Sequence, residues 1–197
     1  MNIFVLSTSP REGSQSLRFS KYLETTCKKT PLVSSVDLMD FENFDIPTIG
    51  RGKVDKNALT DFQNDLVSNW EKADLILFVN PEYNWTTNGE VFIMMDQLGS
   101  KAFENLFENK VFAFCGVSSG RGGRLAALDV SKVVSKLISF QNKFSIVSPK
   151  IFEAHEVGKN VEENFQSTGN LNFEAGVEEF VQYSVQIAAR WFQLKPL

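Results

Sequence analysis

An α/β architecture built on a parallel sheet is the fold class this sequence predicts, and three observations carry it. Four short apolar runs span residues 3–6, 75–79, 111–117 and 144–147, the last broken only by Ser145. Strands covered on both faces need that pattern, whereas a half-solvated strand would alternate. Segments with helical spacing lie between the runs, which implies right-handed crossovers joining parallel strands. Finally, polar or glycine-rich loops follow the first three runs directly, at the strand ends where open α/β sheets bind ligands.

The elements follow in order. After residues 3–6, a helix is expected with Phe19, Tyr22, Leu23 and Thr26 on its inner face. Residues 33–38 are half polar and suit an edge strand. Leu59, Phe62, Leu66, Trp70 and Ala73 share one helical face. So do Ala126, Val130, Val133, Val134, Leu137 and Ile138, and so do Phe173, Val177, Phe180, Val181, Ser184, Ile187, Ala188 and Trp191. Residues 91–98 read as a further helix carrying Met94 and Met95, which suit core or subunit packing. Residues 46–57 hold Pro47, Gly50 and Gly52 and read as a loop. Residues 155–172 read as a polar excursion before the last helix. Neither stretch divides two complete cores, so one domain over residues 1–197 is expected.

Composition narrows the function classes. Hydrophobic residues make up 43% and charged residues 22%, as in an ordinary globular protein. A net charge of -4 offers no broad basic footprint for nucleic acid. No apolar stretch reaches the length of a membrane span, and the N-terminal residues lack the charged start of a signal peptide. A cytoplasmic protein is therefore expected. Cys27 and Cys115 are too few for a disulfide framework, and Cys115 sits inside an apolar run as a buried thiol would. The 18 phenylalanines are read as core and subunit packing.

The first loop runs Ser7-Thr8-Ser9-Pro10-Arg11-Glu12-Gly13-Ser14-Gln15-Ser16 into a helix start. Unpaired N–H groups and the positive end of a helix dipole suit a phosphate there. The hydroxyls of Ser9, Ser14 and Ser16 add donors, and Arg11 adds a fixed cation with fork geometry. The plainer reading is a serine-rich helix cap. Neither a G-x-G-x-x-G nor a G-x-x-x-x-G-K-[ST] pattern is present, which argues against a nicotinamide-type dinucleotide fold and a nucleoside triphosphatase.

The second loop, Pro81-Glu82-Tyr83-Asn84-Trp85, places two aromatics and amide polarity at the end of a core strand, as stacking on a flat heterocycle requires. The third loop, Ser118-Ser119-Gly120-Arg121-Gly122-Gly123, has glycines that let backbone approach a ring, and its N–H groups could stabilise negative charge. A plain flexible turn is the alternative. Together the three loops describe a site for flavin mononucleotide (FMN). His155, the single histidine, falls outside them and reads as a loop or surface residue.

These residues resemble the NADPH-dependent FMN reductase family, which includes quinone, azo and chromate reductases. The likeness is most specific at Pro81-Glu82-Tyr83-Asn84, with support from the first loop, the glycines after Ser119, Gly89, Asp96, and Asp37-Leu38 with Asp45-Ile46-Pro47. It implies a flavodoxin-like three-layer sandwich with a five-stranded parallel sheet in the order 2-1-3-4-5. It implies FMN phosphate held by Ser9, Arg11, Ser14, Gln15 and Ser16, with the ring against Pro81 to Asn84 and near Ser118. It also implies a homodimer or homotetramer. Departures occur at Asn88, Phe92 and Thr8, where the family usually has proline, lysine and glycine.

The expected chemistry belongs to the flavin, with the protein supplying binding and orientation. NADPH or NADH would deliver hydride to flavin N5 and leave. A small-molecule acceptor such as a quinone, azo compound or free flavin would then bind. No catalytic side chain and no metal site is expected. A flavodoxin-type electron carrier and a flavin-free interaction module on the same fold are the alternatives. A response-regulator receiver would need acidic residues where Ser7 and Asn80 stand.

Overall fold

The computed structural model describes residues 1–193. The last four residues of the expected domain lie outside the described residues. Five strands form one parallel sheet in the order β2-β1-β3-β4-β5. They are β1 (Asn2–Ser7), β2 (Ser35–Asp40), β3 (Leu75–Pro81), β4 (Val111–Val117) and β5 (Ile146–Ala154). The helices are α1 (Gln15–Lys28), α2 (Asp61–Lys72), α3 (Gly89–Leu98), α4 (Arg124–Phe140), the single-turn α5 (Val157–Asn160) and α6 (Leu171–Trp191). A 3-10 helix spans Lys101–Phe107.

Successive side chains of a strand face opposite sides of a sheet, and here each side is a separate core. Ile3, Val5, Leu77 and Val79 pack with Phe19 and Leu23 of α1 and with Val177, Phe180 and Val181 of α6. Phe4, Leu6, Ile76 and Phe78 pack with Leu66 and Trp70 of α2, Met94 of α3 and Val130 of α4. The result is a three-layer sandwich. Much of the phenylalanine content serves these cores: Phe78 stacks on Phe114 at 5.4 Å, and Trp70 meets Phe78 and Phe107 edge-on at 5.5 Å.

Local sequence starts the helices. Ser14 Oγ accepts from Leu17 N–H at 3.0 Å. Thr60 and Gln63 form a capping box for α2, and Asn170 caps α6.

Two strands differ from the sequence reading. β2 lies two residues further along than 33–38. β5 starts at Ile146 and continues to Ala154, so Phe144 is not in the strand. It is 68% exposed and stacks on Trp191 at 4.4 Å. β5 is an edge strand, half-buried along most of its length, so it lacks the continuous apolar signature. It also carries Pro149 and a register shift opposite Phe112 and Phe114, devices that edge strands tolerate.

Among the described residues, no helix is long and apolar enough to cross a membrane, and no cluster of histidine, cysteine and carboxylate side chains has the makings of a metal site. Cys27 and Cys115 are unpaired and buried. Burial pushes the Cys27 thiol up to about 12 and raises Cys115 well above its ordinary value. Only the thiolate is nucleophilic, so both cysteines are expected to resist iodoacetamide in the native protein and to react on denaturation. Rapid native labelling counted by mass spectrometry would contradict that.

Candidate active site

β1, β3 and β4 are neighbours in the sheet, and each ends in one of the three loops. From β1 the chain passes through α1 to β2 on one side, and from β2 it crosses through α2 to β3 on the other side of β1, so the first two loops flank the topological switch point, where open α/β sheets form a ligand crevice. A cleft of about 310 Å³ lies there. It is lined by Ser9, Arg11, Ser14, Gln15 and Ser16 from the first loop, Pro81, Glu82 and Tyr83 from the second, Val117 at the end of β4, and Ser119 from the third. Larger clefts lie elsewhere: those of about 400 and 530 Å³ lie against α6 and the C-terminal end of α1, and one of about 370 Å³, lined by Arg121, Glu153, His155 and Asn160, lies beside the end of β5.

Ser14 is the N-cap of α1, so the capping alternative is realised there. Its oxygen is used by Leu17 N–H, but its own hydroxyl hydrogen remains to donate. The amides of Gln15 and Ser16 are first-turn N–H groups with no partner inside the helix, and both residues line the cleft. Gln15 Oε1 is buried and has no donor among the described residues.

Tyr83 joins the first loop to the second. Its hydroxyl lies 2.9 Å from Ser9 Oγ, and the Arg11 guanidinium carbon lies 4.2 Å from its ring centroid, a cation–π stack. Tyr83→Phe removes the hydroxyl contact and keeps the ring. It should weaken binding of a ligand that needs both loops by about 0.5–1.5 kcal/mol, read by titration. An unchanged affinity would remove the Ser9 contact from the account.

Asn84 and Trp85 do not line the cleft. Tyr83 N–H donates to Thr86 O at 2.7 Å and Thr86 N–H donates back at 3.2 Å, while φ is 52° at Asn84 and 65° at Trp85. This is a two-residue turn with both central residues left-handed. Its tip points outward, and Trp85 is 76% exposed. A bulky aromatic in that conformation is uncommon, and Thr86 Oγ1 anchors the turn to Asp129 Oδ2 of α4 at 2.8 Å.

Most of the third loop also turns away from the cleft. Ser118 N–H donates to Ala154 O at 3.1 Å, and Ser118 Oγ accepts from Gly120 N–H at 3.2 Å. Gly122 N–H donates to His155 Nδ1 at 3.1 Å, and Gly123 N–H donates to the Glu82 carboxylate. These amides are occupied within the protein, and of this loop Ser119 lines the cleft whereas Ser118, Gly120, Gly122 and Gly123 do not. Pro10 is not among the lining residues either.

The family model of the NADPH-dependent FMN reductases matches residues 1–148, about three quarters of the chain. The chain belongs to that family. It is therefore an NAD(P)H-dependent oxidoreductase with FMN as cofactor, and the electron-carrier and flavin-free alternatives fall away. A protein of Oryza sativa subsp. japonica named "Probable NADPH:quinone oxidoreductase 2" is 27% identical over 176 residues, covering 87% of this chain and 79% of its own. Among solved structures, the flavoenzyme NAD(P)H:acceptor oxidoreductase FerB from Paracoccus denitrificans superposes with a TM-score of 0.68 at 17% identity, covering 100% of this chain and 99% of that one. The apo form of an NADH:FMN oxidoreductase superposes at 0.66 with 13% identity, covering 94% and 89%. At these identities the two structures establish the flavodoxin-like fold alone.

The cleft suits the family's cofactor. A phosphate needs donors and a cation, which the α1 amides, the serine hydroxyls and Arg11 provide. The buried Gln15 Oε1 lacks a donor, and a sugar-alcohol hydroxyl is such a donor. Two departures from the family pattern touch each other: Asn88 Nδ2 donates to Thr8 O at 2.8 Å. Asn88 also donates to Glu90 Oε2 at 2.9 Å, so this buried amide is satisfied and binds the first loop to the start of α3.

His155, expected as a loop or surface residue, is a half-exposed turn residue outside the cleft. It follows β5 directly and reaches the third loop. The signal for that contact is its place just past a strand end, hidden because the run at 144–147 stops short of the true end of β5 at Ala154.

Proposed function

We propose that the chain is one FMN-binding domain that passes reducing equivalents from NADPH or NADH to small-molecule acceptors such as quinones, azo compounds or free flavin. The observation that carries this reading is the cleft at the switch point, where helix amides, serine hydroxyls and Arg11 meet Tyr83. Ser9, Arg11, Ser14, Gln15 and Ser16 would hold the phosphate end. Pro81, Glu82, Tyr83 and Ser119 would border the ring. Bound FMN would supply the redox chemistry, accepting hydride at N5 from NAD(P)H and returning it to the acceptor in a ping-pong cycle.

The protein's own part is positional. Tyr83 and Arg11 tie two loops together through protein contacts alone, which lowers the ordering cost of binding. No side chain is required to move a proton. Trp85, Leu125 and Leu128 are exposed apolar groups on the adjoining turn and on α4, and they support burial of this edge in a homodimer or homotetramer. Two buried thiols are compatible with a reducing, cytoplasmic setting.

Steady-state kinetics with NADPH and a soluble quinone test the proposal. Parallel double-reciprocal lines would support the ping-pong cycle, and intersecting lines would replace it with a ternary complex. No NAD(P)H consumption with a quinone, an azo dye or free FMN would overturn the acceptor class.

A further inference from the structure

The glycine pair of the third loop is gripped from both sides. From β3, the Glu82 carboxylate accepts from Gly123 N–H, and Glu82 N–H donates to Val117 O at 2.8 Å. A Cβ on Gly122 would overlap that carboxylate, so any other residue here would displace the Glu82 side chain from this position. From the end of β5, His155 Nδ1 accepts from Gly122 N–H at 3.1 Å, and Glu156 N–H donates to Gly120 O at 2.9 Å. Because Nδ1 accepts, the imidazole proton sits on Nε2. That nitrogen faces Glu153 Oε2 at 3.8 Å, and Glu153 in turn pairs with Arg124 at 2.8 Å. His155 lies outside the cleft.

We infer that Glu82 and His155 are positioning residues that clamp Gly122 and Gly123 between the ends of β3 and β5, so that Ser119 is presented to the flavin. The inference rests on the FMN reading above and deepens it. Two successive amides that could have faced a ring are committed to the protein instead. The clamp thus selects which part of the loop meets the ligand. Glu82 lines the cleft and His155 lies outside it. A change at His155 therefore reaches bound flavin only through the loop.

The test compares His155→Leu, which removes the acceptor, with His155→Asn, whose side-chain oxygen can replace Nδ1. Two readouts are used: amide hydrogen exchange at Gly122 and Gly123 without ligand, and FMN affinity by fluorescence titration. Losing one hydrogen bond at a partly buried amide should speed Gly122 exchange in His155→Leu and weaken FMN about 5- to 10-fold. His155→Asn should restore both to within about twofold of wild type. Unchanged Gly122 exchange in His155→Leu would overturn the clamp. Faster exchange with unchanged FMN affinity would overturn the positioning role, and failure of asparagine to rescue would assign the effect to ring packing. A wild-type protein that takes up no FMN would overturn the flavin reading and the Ser119 assignment with it, while the exchange comparison still decides the clamp.

Discussion

Replacing Gly116 with alanine is expected to destabilise the protein by about 3 kcal/mol, at the upper end of what overpacking usually costs. Gly116 pairs with Asn80 of β3 and Glu153 of β5, so the sheet fixes it on both sides. A Cβ there would overlap the carbonyl of Gly123, which is backbone and cannot rotate aside. Gly123 has φ of 106°, a conformation open to glycine and strained for other residues, and it is also the N-cap of α4. Relief would have to come from moving the start of α4 or the end of β4. For a chain of this size the cost corresponds to a melting temperature lower by roughly 6–12 °C. Calorimetry of the variant checks it, and a shift within roughly 2 °C would mean that the third loop yields far more easily than its contacts imply.

Arg11→Ala should weaken FMN binding by about 1.5–3 kcal/mol, the range for a hydrogen bond to a charged group, which raises Kd about 10- to 150-fold. Arg11 is placed by its stack on Tyr83, and Arg11 N–H lies 3.4 Å from Ser9 Oγ. Removing it takes away both the cation and the lid on the tyrosine ring. Arg11→Lys should fall between wild type and alanine, because lysine keeps the charge but loses the planar fork. Fluorescence titration of the three proteins with FMN gives the comparison. Equal affinities would remove the first loop from the phosphate role.

The sheet was legible where burial is complete. β1, β3 and β4 are covered on both faces, so their sequences are continuous apolar runs. β5 was not, because an edge strand faces solvent along part of its length and Pro149 interrupts its pattern. His155 stands one residue past the true strand end, so its reach to the third loop is not legible from the run at 144–147. The cleft side of the site was legible through residue chemistry: Ser9, Arg11, Ser14, Gln15, Ser16 and Tyr83 line one space. Side-chain direction was not. Trp85 suits ring stacking by type, but the turn Tyr83 to Thr86 carries it outward. Gly122 and Gly123 suit backbone donation by type, but their amides are taken by His155 and Glu82. Such choices depend on partners distant in sequence, 33 residues for Gly122 and 41 for Gly123.

The most direct measurement is the visible absorption spectrum of the purified protein, taken after FMN addition and again after NADPH addition without oxygen. The account predicts flavin bands perturbed by binding, bleached by NADPH, and restored when a quinone is admitted. A protein that leaves the spectrum of free FMN unchanged, or binds FMN that neither NADPH nor NADH bleaches, would contradict it.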